Sequence, residues 1–260
     1  MKKALFSAVL SVFCFSSAYS ANLVVENFDT DGFLAGATPA TGANWNAYTQ
    51  YSKAGGVLTR TTGTTGAIGA GVSLGGTLAS GVYDLTSTIN YAANASPGTG
   101  VWGFGYSQTT DVLTSTTTPG GSPWIYMREN GEIGFRALPT NNTSGTIIAR
   151  ALGTNQPGGA YTIRLSLDTT AALWSVNAYL SINGGAETQL DLNGASAGLT
   201  HTYTTNPTIG YVGITSTATA GLGSLDNFSL VGPALIPEPS SAVLSLLGAL
   251  GLVTLRKRRD

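Results

Sequence analysis

Apolar and polar residues alternate through most of the middle of this chain. Tyr161, Ile163, Leu165 and Leu167 are separated by Thr162, Arg164 and Ser166. After Asp168-Thr169-Thr170 the pattern resumes at Trp174, Val176, Ala178, Leu180 and Ile182, and stops at Asn183-Gly184-Gly185. Successive side chains of a strand point to opposite faces, so this period of two predicts half-buried strands joined by turns. Residues 82–89 form a β-rich run behind Gly81. In the run from Val101 to Tyr106, Trp102, Phe104 and Tyr106 fall on one face and Gly103 and Gly105 on the other. Residues 124–128 and 133–136 flank Glu129-Asn130-Gly131-Glu132, whose Asn-Gly predicts a tight hairpin. Leu23 and Val25 alternate with Val24, Glu26 and Phe28, and residues 208–214 and 225–231 add two further strands. No long stretch of residues 21–232 has a helical period.

About eight to twelve short strands separated by turns, with no alternating helices, predict an all-β fold. The expected architecture is one antiparallel β-sandwich domain of jelly-roll type over residues 21–232. Three stretches carry a resemblance. YTIRLSLDTTAALWSVNAYLSINGG (161–185), VVENFD (24–29) and SLDNFSLVG (224–232) are similar to the central hairpin and the outer strands of concanavalin-like and laminin-G-like sandwiches. The same stretches resemble carbohydrate-binding modules. The resemblance implies a sandwich with two facing sheets.

The two ends follow different rules. Residues 1–20 begin with Lys2 and Lys3, continue through an apolar stretch over 4–15, and close on Ala18-Tyr19-Ser20. That order predicts a signal peptide, cut by signal peptidase before Ala21. Residues 237–260 combine Pro237-Glu238-Pro239, an apolar run over 242–255, and the cluster Arg256, Lys257, Arg258 and Arg259. As a helix the apolar run spans roughly 21 Å, short against a hydrocarbon core of about 30 Å. This tail resembles the sorting signal of the PEP-CTERM proteins of Gram-negative bacteria, with residues 233–236 as its linker. The resemblance implies an exosortase-type membrane protease as partner. It also implies a short C-terminal hydrophobic helix that holds the chain in the inner membrane transiently. Lysines at one end and the basic cluster at the other both favour the cytoplasm, which puts the body outside, at the cell surface or in the extracellular matrix.

Charge narrows the function classes. The body holds six cations (Lys53, Arg60, Arg128, Arg136, Arg150 and Arg164) against eleven acids. A net charge near −5 excludes a general nucleic-acid binder. Cys14, the one cysteine, lies in the predicted signal peptide, so no disulfide staples the body.

Catalytic chemistry is sparse. The only histidine, His201, lacks the glycine–serine pattern of a nucleophile elbow, and reads as an edge-strand or loop residue. One histidine and no cysteine in the body do not make a zinc site. The closest acidic pair, Glu129 and Glu132, sits at the ends of the expected tight turn, where solvated charges belong. The Glu-x-Asp strand of laminarinase-like enzymes does not occur. The expectation is a protein that is not an enzyme.

Two candidate binding sites remain. Trp102, Phe104 and Tyr106 form one aromatic row, and Trp124 with Tyr126 another; either stacks on sugar rings if it faces solvent, or fills the core if it faces inward. Glu26, Asp29 and Asp31, with Asp226 from the last strand, either converge on a structural Ca²⁺ or cap acidic turns. No other cofactor is expected. The reading is an exported, structural or adhesive protein of an exopolysaccharide matrix. The alternative is a lectin-like module binding extracellular polysaccharide, with a polysaccharide-degrading enzyme third.

Overall fold

A computed structural model describes residues 20–61, 67–93, 100–108, 123–137, 149–152, 156–194, 198–217 and 223–237. Among these the chain forms strands and turns only. The first half supplies β1 (Ser20–Glu26), β2 (Gly32–Phe33), β3 (Trp45–Ala47), β4 (Tyr51–Ala54), β5 (Val57–Arg60), β6 (Ala67–Ser73), β7 (Gly76–Thr77), β8 (Val82–Tyr91) and β9 (Val101–Ser107). The second half supplies β10 (Trp124–Arg128), β11 (Ile133–Arg136), β12 (Ala149–Leu152), β13 (Gly159–Asp168), β14 (Ser175–Ile182), β15 (Thr188–Leu190), β16 (His201–Thr202), β17 (Tyr211–Thr217), β18 (Ser224–Pro233) and β19 (Ile236–Pro237).

Two large antiparallel sheets and a two-stranded ribbon, β19-β7, result. A ten-stranded sheet runs β15-β14-β13-β8-β18-β5-β4-β2, with β1 also on β18 and β16 on β14. A seven-stranded sheet runs β12-β11-β10-β9-β17-β6-β3. The chain changes sheets repeatedly, among other places between β5 and β6, β8 and β9, and β17 and β18. In each sheet the strands so joined remain neighbours of their partners: β8 pairs β18 as β9 pairs β17, and β5 pairs β18 as β6 pairs β17. That winding of antiparallel pairs across two layers is the expected jelly roll.

The period of two explains the core. In β8 every second residue from Tyr83 to Tyr91 is buried, and β13 and β14 do the same with Tyr161, Ile163, Leu165, Val176 and Ala178. Polar ties cross between the layers. The Tyr106 hydroxyl of β9 donates to the Tyr83 carbonyl of β8 at 2.7 Å, and the Tyr51 hydroxyl of β4 donates to the Ile68 carbonyl of β6 at 2.9 Å. Arg60 of β5 donates to the Ser216 carbonyl of β17 at 2.7 Å. Burial pushes the Tyr51 and Tyr106 hydroxyls well above the usual phenol range, so both remain donors.

The two Asn-Gly turns differ. Asn183 and Gly184 both take positive φ (52° and 74°), with the Gly185 amide donating to the Ile182 carbonyl, as a two-residue primed turn requires. At the other hairpin only Gly131 has positive φ (80°), and Arg128 N–H bonds the Glu132 carbonyl across a three-residue loop. This loop folds down onto the body: the Tyr91 hydroxyl donates to the Glu129 carbonyl at 2.7 Å, and Gly131 packs on Gln156. Glu129 and Glu132 are therefore buried, 1% and 2% exposed, where the sequence reading expects solvated charges.

The predicted linker over 233–236 is also ordered. Pro233 ends β18, and Ile236 pairs with Thr77 and Pro237 with Gly76. The rest of the sorting tail, Glu238, Pro239 and Arg256 to Arg259, lies outside the described residues, as do the expected helix over 242–255 and residues 1–19. No helix long and apolar enough to cross a membrane occurs among the described residues.

Candidate functional site

The two aromatic rows face opposite ways. Trp102, Phe104 and Tyr106 of β9 point between the sheets and are 1%, 0% and 0% exposed. The Trp102 ring lies 6.0 Å from that of Tyr51, and Phe104 meets Phe228 edge to face at 6.4 Å. A ligand-binding role for Trp102 and Tyr106 is thereby corrected: an aromatic strand in a two-layer fold fills the core, because its burial there removes the largest apolar area from water.

Trp124 and Tyr126 stand on the outer face of the same sheet. Cross-strand partners share a face. Trp124 is opposite Gly105 on one side and Arg136 on the other, and Tyr126 is opposite Gly103 and Gly134. The face thus has a glycine floor. A Cβ on Gly105 would stand 2.4 Å from the Trp124 Cβ, and one on Gly134 would stand 2.4 Å from the Tyr126 hydroxyl. Only glycine lets these rings settle on the sheet.

The ring centroids lie 5.1 Å apart, tilted by 40°. The Arg136 guanidinium sits 5.3 Å from the Trp124 ring and 5.7 Å from the Tyr126 ring, and that of Arg128 sits 5.6 Å from Tyr126. Tyr126 is 2% exposed yet lies outside the hydrophobic core cluster. Its hydroxyl and the Arg136 Nε are buried without a hydrogen-bond partner. Trp124 is half-buried and presents the accessible part of the platform. Sequence reasoning did not single out the two arginines. Their signal was the spacing by two of Trp124, Tyr126 and Arg128, matched by Gly134 and Arg136 on the partner strand.

The outer face of the ten-stranded sheet is a contrast. Its Arg164 also covers a ring, Tyr179, at 4.1 Å. Here the guanidinium is paired with Asp84 at 3.3 Å and with Glu187. The hydrogen bond to Glu187 raises the Arg164 pKa and holds the Glu187 carboxyl below the usual range.

Three of the four acids proposed for calcium accept hydrogen bonds within the fold. Glu26 is 5% exposed; its Oε1 accepts the Phe28 amide at 2.8 Å and its Oε2 accepts the Trp45 indole at 3.1 Å. Asp31 accepts the Gly55 amide at 3.1 Å, and Asp226 accepts both the backbone and side-chain nitrogens of Asn227. Partial burial, and secondarily Asp29, raise the Asp226 pKa. No group of three acids, histidines or cysteines placed to hold a metal occurs among the described residues. Glu26, Asp31 and Asp226 hold loop amides, and Glu26 also ties down an indole.

His201 lies on the edge strand β16, its ring 4.9 Å from Tyr203 and 5.8 Å from Phe135, both edge to face. Burial lowers its pKa. An apolar groove of about 490 Å³ opens beside β14 and β15, lined by Leu152, Leu180, Ile182, Leu190 and Leu199. It holds no aromatic platform.

No protein-family model matches the chain, and no curated protein matches it. Among solved structures, the metal-free lectin I-B4 of Griffonia simplicifolia is similar over 72% of this chain and 91% of its own, at 14% identity and a TM-score of 0.48. The metal-free carbohydrate recognition domain of Emp46p aligns over 74% of this chain and 88% of its own, at 11% identity and a TM-score of 0.49. Lectin UEA-II in complex with galactose aligns over 84% of this chain and 99% of its own, at 12% identity and a TM-score of 0.49.

Proposed function

We propose that the body is a non-catalytic glycan-binding module, carried outside the inner membrane and sorted through its PEP-CTERM-like tail by an exosortase-type protease. The observation that carries the binding reading is the Trp124–Tyr126 pair on the outer face of the seven-stranded sheet. Aromatic faces stack on the C–H faces of sugar rings, and the glycine floor seats the two rings flat on the sheet, with Trp124 presenting the accessible part. A matrix role and a glycan-binding role then coincide, because a module that grips polysaccharide is also a matrix component.

The test is binding of the full-length protein to a glycan array and to purified exopolysaccharide of the producing cells, alongside denaturation curves. Trp124→Ala is expected to weaken binding at least tenfold and to change stability by no more than about 1 kcal/mol. Trp102→Ala, a core truncation, is expected to cost about 3–5 kcal/mol. Bound polysaccharide is expected to release no reducing ends. Unchanged binding by Trp124→Ala would refute the proposed face. Hydrolysis that disappears in Glu132→Gln would replace the module reading with an enzymatic one.

A further inference from the structure

The charge on this face is unbalanced. Neither Arg128 nor Arg136 has an ion pair among the described residues, although the body carries eleven acids against six cations. Arg164 shows what the same fold does with an arginine held for structure: it stacks on Tyr179 and is neutralised by Asp84 and Glu187. The seven-stranded sheet stacks two arginines on Tyr126, and among the described residues neither is paired with a carboxylate. Arg150 holds the register position opposite Gly134. Three of the body's six cations thus fall on the three adjacent strands β10, β11 and β12.

Two donors are also unmet. The Tyr126 hydroxyl and the Arg136 Nε–H are buried and unpartnered on this face. Buried donors are normally satisfied, and a charged one more strongly so. A neutral hydroxyl would accept these hydrogen bonds and leave two positive charges standing. A carboxylate or sulfate does both, since its oxygens match the planar fork of a guanidinium. The rest of the domain is net negative, so a polyanion is repelled elsewhere and steered to this face.

We propose that the Trp124–Tyr126 platform binds an anionic saccharide, carboxylated or sulfated, whose charge is read by Arg128 and Arg136. This rests on the glycan-binding reading above and names its substrate class.

Calorimetric titration of the full-length protein with polygalacturonate, dextran sulfate and neutral dextran tests it. One or both polyanions are expected to bind at least tenfold more tightly than dextran, and which one binds separates carboxylate from sulfate. R136Q and R128Q are each expected to lose about tenfold, while R164Q binds as the parent. Raising NaCl from 0.05 to 0.5 M weakens the parent's binding by a similar factor, since surface charges are screened within about 10 Å at 0.1 M and less at higher salt. The salt series needs no variant, and R136K retains the charge should R136Q fold poorly. Equal, salt-insensitive binding of all three polymers, still abolished by Trp124→Ala, would overturn the charge inference and spare the glycan-binding reading. No binding of any of the three overturns the inference. An unchanged glycan-array profile in Trp124→Ala then removes the glycan-binding reading with it.

Discussion

At the scale of single residues, the histidine offers a clean probe because the chain has one. Burial among Phe135 and Tyr203 favours the neutral ring, so the folded-state pKa of His201 lies below its unfolded value of about 6.5. The unfolded chain then binds the proton more readily than the folded one. This leaves stability unaffected above that pH, lowers it as pH falls through about 6.5, and levels below the folded pKa. His201→Gln is expected to lack this step. Melting points of parent and variant between pH 8 and 5 check it, and parallel curves would refute it. The two tryptophan rows show what a sequence withholds at this scale. Alternation separates Trp102 from Gly103 and Trp124 from Ile125, but which face turns inward depends on the second sheet. In residues 124–128 every position but the last is apolar, so hydrophobicity gives no direction there at all. Glu26 was legible as a carboxylate at the end of the first strand, for calcium or for a turn, but not as the acceptor of a distant indole, 19 positions away.

At the scale of elements, the long strands β8, β13 and β14 were readable because their alternation runs over eight to ten residues. The short strands β2 to β5 and β7, and β6 with its Ala-Ile-Gly-Ala-Gly-Val-Ser, were not. Glycine and alanine fill both faces of β6, so its pattern has little amplitude, although Ile68 and Val72 are buried in the usual way. The same small residues shape the outer face. At Gly105 an added methyl meets the backbone-proximal Trp124 Cβ and the Pro123 carbonyl, neither of which can yield. At Gly134 it meets the far end of the Tyr126 ring, which yields only by lifting from the sheet. Gly105→Ala is therefore expected to destabilise the domain by about 1–3 kcal/mol. Gly134→Ala is expected to damage saccharide binding more than stability. Denaturation and titration on the two variants decide it, and identical behaviour of both would mean the floor has no separate role in binding.

At the scale of the whole molecule, the described sheets reach only the first residue of the sorting tail, Pro237. β18 and β19 end at Pro233 and Pro237, so removing residues 238–260 takes nothing from the described sheets. Intact-mass measurement of the protein from its native host is expected to find a form lacking residues 1–20 and the segment beyond Pro237-Glu238-Pro239. A dominant surface species still carrying Arg256 to Arg259 would contradict that. The pairing of Ala21 with Gly232 has a mechanical meaning as well. Once β19 has parted from β7, tension applied between the start of β1 and the end of β18 would peel the two strands apart one bond pair at a time, the weak direction of a sheet. A pull on the C-terminal segment alone is met differently. After the two-residue β19 lets go, the load runs along β18, which is bonded to β1, β5 and β8, and these ladders must shear together. A body held by its tail against a dragging matrix would thus be loaded through a strand bonded to three others.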